Sequence, residues 1–413
     1  MKSLLFLSLL LAGSPSYAQI TAITGATVWT MTSDRPVEDA TLLIDNGRIV
    51  SVIAHGPVPA GARRIGADHR IVTPALVDAA TQVGLGEVGS IDEERRGSVS
   101  TGPLGAAFTI AYGFDPEDQA VRQARADGVA WAMVYPDESG SAPFDGVAAT
   151  VRIGNRAARV SVQRAAMVVT IGGSSASRVG GSTAAAWQLL RNALDEARDY
   201  KESAVPRDQL LNHLDAAALQ PVVDGTMPIV IRCDRLADVR QSIALARDYR
   251  LSLTIFGGAE AWGAAAELAA ARIPVIVDPM ATLPDTYDTL GSRPDNAALL
   301  ARAGVALAFS VSAQGIYRSW DAGPSMREGA GLAVANGLPY PVALAAMTSG
   351  AAQLMHLPAS TATISPGAAA DLVVWDADPL EPSSAPVLVM IDGVQVSPVT
   401  RQTLLRDRYA PRN

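Results

Sequence analysis

Arg232 and Asp234 stand two residues apart in PIVIRCDRLADV, directly after the apolar run Ile229-Val230-Ile231. Residues i and i+2 of a strand share a face, so both side chains are expected to point into the same space. A planar guanidinium there can hold a carboxylate, or be neutralised by one from its own chain. Asp78, Asp234, Glu260 and Asp278 also fall near expected strand ends, and their hard oxygens would suit calcium or magnesium. Asp78 is read instead as an acceptor for loop amides, and Asp234 as the partner of Arg232. The four histidines form no metal set. His55 and His69 lie among short β-rich segments, His213 in RDQLLNHLDAAAL and His356 near a helix end, with no pair at ligand spacing on one strand. Cys233 is the only cysteine, and alternation turns it away from the face of Arg232 and Asp234, towards packing rather than nucleophilic work. Ser174, Ser175 and Ser310 lack a neighbouring histidine to act as base.

These residues need strands to carry them. Strands are expected at Val129–Tyr135, Met167–Ile171, Ile229–Cys233, Leu251–Phe256, Pro274–Asp278 and Val305–Val311, with helices at Thr183–Tyr200, Ala237–Tyr249, Glu260–Arg272 and Asn296–Ala303. Such alternation predicts a parallel sheet with crossover helices. No Gly-rich dinucleotide turn follows any strand, which favours a (β/α)8 TIM-like barrel over a doubly wound sheet. Both chain ends read as β-rich: Asn46-Gly47 and Asp392-Gly393 are two-residue hairpin turns in ATLLIDNGRIVSVIA and PVLVMIDGVQV. A small β-sandwich built from the two ends, with the barrel between, accounts for this. The expected divisions are a signal peptide at 1–18, sandwich segments at 19–70 and 361–413, and the barrel at 71–360.

The chain resembles the amidohydrolase superfamily, in the branch related to imidazolonepropionase. The resemblance rests on IVTPALVDAATQVGL, on GLPYPVALAAMTSGAAQLMHL and on ISPGAAADLVVWDADPL, and covers nearly the whole mature chain. It implies hydrolysis of carbon–nitrogen bonds by a water bound to zinc or another divalent ion. The family's ligands are H-x-H on the first barrel strand, often a carboxylated Lys, His on the fifth and sixth strands and Asp on the eighth. The matching positions here hold Ala80 and Gln82, Arg232 and Asp234, Gly257 and Ser310, while Lys201 sits in a charged helix end. Alanine offers no ligand atom and an amide is a poor zinc ligand, so neither metal nor other cofactor is expected.

Composition sets the remaining limits. With 49% hydrophobic and 18% charged residues, the 413-residue chain should bury a large core. Lys2, the apolar run Leu4–Leu11 and Ser16-Tyr17-Ala18 before Gln19 make a secretory signal peptide. The product is then periplasmic or secreted, with no membrane anchor after cleavage. The formal charge of −8 becomes −9 once Lys2 is removed with the leader, which argues against nucleic acid as a partner. Two functions fit. The first is an exported binding protein, or the non-catalytic hetero-oligomeric partner of a competent relative, with a small-molecule ligand. The second is an active hydrolase of amide or cyclic C–N bonds with a non-standard site made of Gln82, Arg232, Asp234 and Ser310, in which Arg232 binds substrate.

Overall fold

The computed structural model describes residues 20–86, 96–140, 143–200, 210–310 and 321–410. Two eight-stranded sheets organise it. The smaller unit takes β1 (Thr21–Val28), β2 (Val37–Asp45), β3 (Arg48–Ala54), β4 (Arg63–Gly66) and β5 (Ile71–Pro74) from the first part of the chain. It takes β14 (Leu372–Trp375), β15 (Pro386–Ile391) and β16 (Val394–Gln395) from the last part. The two contributions meet where β5 pairs antiparallel with β14. Both hairpin turns form as their residue types demand. Asn46 and Gly47 adopt φ 48° and 75°, and Asp392 and Gly393 adopt 54° and 73°, the left-handed pair that a type I′ turn requires. The turns also touch: a Cβ on Gly393 would lie 2.3 Å from the Gly47 Cα. Glycine is needed there for space as well as for φ.

The barrel sheet runs β6 (Leu76–Thr81), β7 (Val129–Val134), β8 (Phe144–Ile153), β9 (Ala158–Thr170), β10 (Ile229–Cys233), β11 (Leu253–Gly257), β12 (Val275–Val277) and β13 (Leu307–Phe309) in spatial order. β6 and β13 come together at the seam, where the Ser310 hydroxyl donates to the Ala80 carbonyl. The barrel thus nearly closes, as the alternation of strands and helices predicts. One strand departs from that pattern. β8 runs antiparallel to both β7 and β9, and β9 extends over thirteen residues rather than the five expected at Met167–Ile171. All ten residues of FDGVAATVRI are buried. Buried on both faces, the segment shows no two-residue alternation, which is why the sequence does not mark it as a strand.

Side chains sort by alternation. Val77, Met133, Tyr135, Ala148, Val168, Val230, Phe256, Ile276 and Ala308 fill the barrel interior. Their neighbours Leu76, Val134, Val169, Ile229, Ile231, Ile255, Val275 and Phe309 pack outward, in one core with the helices. Cys233 belongs to that outer core, beside Ser242 of the helix Leu236–Tyr249 at 3.8 Å, and burial pushes its thiol pKa up. The barrel is fastened to the smaller sheet by Arg152 of β8. Its Nη2 donates to Asp371 Oδ1 at 2.9 Å and to Asp392 Oδ1 at 2.7 Å, and its guanidinium lies over the Trp131 ring.

Candidate functional site

The carboxyl ends of barrel strands form the mouth where this architecture places its chemistry. Arg232, near the end of β10, occupies that mouth. Its guanidinium carbon lies 5.2 Å from the Tyr135 ring centre and 5.6 Å from that of Phe256. The two rings meet edge to face at 5.2 Å. Stacking against aromatic faces suits a guanidinium, which is weakly hydrated and planar. The side chain is 20% exposed, and its buried Nη1 has no hydrogen-bond partner among the described residues. An ion pair with Asp137 spans 3.9 Å.

Arg232 and Asp234 therefore do not form the mutual pair that their spacing suggests. Asp234 accepts the Ala259 amide at 3.1 Å. A Cβ on Gly257 would lie 2.7 Å from Asp234 Oδ1, so the carboxylate lies where a larger residue at 257 would have to start. Burial raises the Asp234 pKa to about 6, against the pull of the Ala259 amide and of Arg232. One backbone amide thus holds Asp234, while Arg232 is left with aromatic walls and a long contact.

Asp145 is the mouth residue that the sequence conceals, because it opens the unmarked strand β8. It is fully buried and accepts the Thr170 hydroxyl at 2.6 Å. Burial raises its pKa to about 7, with Arg232 pulling in the opposite direction. Asp78 is likewise raised to about 7 by burial, and it accepts the Ala80 amide at 3.2 Å. Ala80 lies in the same strand β6, so the carboxylate takes a strand amide and not the loop amide expected of Asp78. Glu260 accepts the Leu236 and Gly291 amides at 2.8 and 3.0 Å, a loop-tying role rather than a ligand role. Ser310 is fully buried and spends its hydroxyl on the barrel seam. Gln82 is half-buried, one residue past β6. Lys201 and residues 311–320 lie outside the described residues. Tyr135, Asp137, Asp145, Thr170 and Phe256 were not singled out in the sequence. Tyr135 and Phe256 do end apolar strand runs at inward positions, which is the signal that could have found them.

Among the described residues, the donors at the mouth are a poor match for a divalent metal. The positions that the resemblance would make ligands hold a methyl group, an amide, a guanidinium, a carboxylate that accepts the Ala259 amide, a glycine and a hydroxyl already used by the seam. Placing a guanidinium there adds a fixed positive charge where a second cation would have to sit. Among the described residues, no group of three or more His, Cys, Asp or Glu side chains could hold a metal ion.

Comparison with known proteins fits this architecture. An amidohydrolase of Thermotoga maritima superposes with a TM-score of 0.78 at 23% identity, covering 91% of this chain and 99% of that one. The fold is that of the amidohydrolases. An adenosine deaminase from Xanthomonas campestris, solved with bound zinc, superposes with a TM-score of 0.53 at 18% identity, over 94% of this chain and 96% of that one. The Amidohydrolase family model matches residues 313–397. The amidohydrolase tasK of Hapsidospora irregularis is 47% identical over 57 residues, a stretch that spans 14% of this chain and 6% of that protein.

Proposed function

We propose that this chain is an exported amidohydrolase-superfamily protein whose barrel mouth binds a small carboxylate through Arg232 instead of working through a metal. It acts as a binding protein, or as the non-catalytic partner of a competent relative. One observation carries the reading: the guanidinium of Arg232 lies against the Tyr135 and Phe256 rings, with a buried Nη1 that no described residue hydrogen-bonds. An orphaned donor of that kind costs stability unless something occupies it, on the order of 1–3 kcal/mol and more for a charged group. A carboxylate is the matching acceptor, and a flat apolar body suits the aromatic walls.

The alternative, a hydrolase with a non-standard site, draws on Asp145. A buried carboxyl with a pKa near 7 beside a guanidinium has the character of a general base.

Calorimetric titration with benzoate, together with a turnover assay on cyclic amides, separates the two. The material is protein from the exported fraction, its mass showing a start at Gln19 and not at Met1. Benzoate binds the native chain, Arg232→Met loses at least about tenfold in affinity, and no turnover accompanies binding. Equal affinity in Arg232→Met overturns the Arg232 site. Turnover that disappears in Asp145→Asn favours the hydrolase.

A further inference from the structure

Arg232 meets three carboxylates with different commitments: Asp145, Asp137 and Glu138. Asp145 is buried and takes the Thr170 hydroxyl. Glu138 is held by Arg178 at 3.1 Å and by the Ser174 hydroxyl at 2.9 Å. Asp137 differs from both. Its side chain is 57% exposed, and it approaches Arg232 Nη1 only to 3.9 Å. That distance is a charge contact and not a hydrogen bond. The loop carrying it is fixed at both sides: the Asp137 amide donates to the Gly97 carbonyl at 2.7 Å, and the Glu138 amide donates to Asp137 Oδ1 at 2.9 Å. The backbone is therefore set while the carboxylate stands between solvent and the orphaned Nη1.

We propose that Asp137 is the specificity-determining residue of the Arg232 site, a resident carboxylate that an incoming monoanion displaces from the guanidinium and that repels dianions. The inference rests on the carboxylate-binding reading of Arg232. A ligand with one carboxylate exchanges a weak contact for a short charge-assisted bond to Nη1. Among the described residues, a second negative charge on the ligand meets Asp137 and Glu138 with Arg178 as the other nearby cation, and Arg178 is already engaged by Glu138. Like charges so close disfavour the dianion, and specificity here comes from repulsion as much as attraction.

Benzoate and terephthalate, which share a ring and differ by one carboxylate, are titrated calorimetrically into the full chain, native and Asp137→Asn. Asparagine keeps the Oδ1 acceptor for the Glu138 amide, so the loop is retained, and a thermal melt checks this. The native chain is expected to prefer benzoate. Asp137→Asn is expected to tighten benzoate about two- to fivefold, as removal of a competing surface charge pair allows, and terephthalate by more, so that the preference narrows. Native binding of benzoate with no change in Asp137→Asn, or a native preference for terephthalate, overturns the role of Asp137 and leaves the Arg232 site standing. Absence of benzoate binding in both folded proteins overturns the Arg232 reading itself.

Discussion

Arg152→Met lowers the stability of the chain by about 3–5 kcal/mol, the range for breaking a buried ion pair from one side. The size follows from what the substitution abandons. Arg152 is 4% exposed and bonds both Asp371, 9% exposed, and Asp392. Asp371 also accepts the Asp392 amide at 2.8 Å, and Arg152 Nη1 donates to the Ala130 carbonyl at 3.2 Å. Methionine fills much of the space over Trp131 but leaves the Asp371 carboxylate buried with its charge uncompensated. Because β8 belongs to the barrel and Asp371 and Asp392 flank strands of the smaller sheet, the loss separates the two units. Chemical denaturation should show a lower midpoint, with the smaller sheet losing protection from hydrogen exchange first. An Asp371→Leu partner change should recover part of the loss, since the stranded charge is then gone. A midpoint within about 0.5 kcal/mol of native for Arg152→Met, the range of ordinary surface changes, would show that the clamp is not energetically coupled to folding.

The chain is expected to be more stable at pH 5 than at pH 8. Burial raises Asp78, Asp127 and Asp145 from the ordinary carboxylate range to about 7, and Asp234 to about 6. Between roughly pH 4 and pH 7 the folded chain keeps protons on these groups that the unfolded chain has released. The unfolded state then binds fewer protons than the native state, so stability falls as pH rises through this window and levels off above it. A fully expressed shift of this kind is worth on the order of a few kcal/mol per group. Asp145→Asn should flatten the slope and raise the melting temperature at pH 8, while changing it little at pH 5. Thermal unfolding of both proteins at the two pH values checks this. A native chain that melts higher at pH 8, or an Asp145→Asn chain with the native slope, contradicts it.

What could be read in advance follows the range of each physical signal. Asn46-Gly47 and Asp392-Gly393 announce hairpins because the left-handed turn is a property of the dipeptide itself. Ile229–Cys233 announces a strand, and its alternation correctly separates Arg232 from the outward Cys233. The strand Phe144–Ile153 escapes notice because burial on both faces erases the alternation, and Asp145 escapes with it. The partner of Arg232 could not be read from two-residue spacing. Three neighbouring features decide it: Gly257 leaves room for Asp234, the Ala259 amide captures that carboxylate, and Tyr135 and Phe256 arrive from other strands. The sequence showed which face Arg232 takes; the contacts across the barrel showed what it meets there.

The central claim is that a guanidinium, and not a divalent metal, forms the charged centre of the barrel mouth. Metal content of the purified full chain after dialysis tests it most directly, read by inductively coupled plasma mass spectrometry beside a zinc titration. The account predicts far less than one equivalent of zinc, nickel, manganese or iron per chain, and no benzoate affinity lost to a chelator. About one tightly held equivalent per chain, with ligand binding or turnover abolished by chelation, would contradict it.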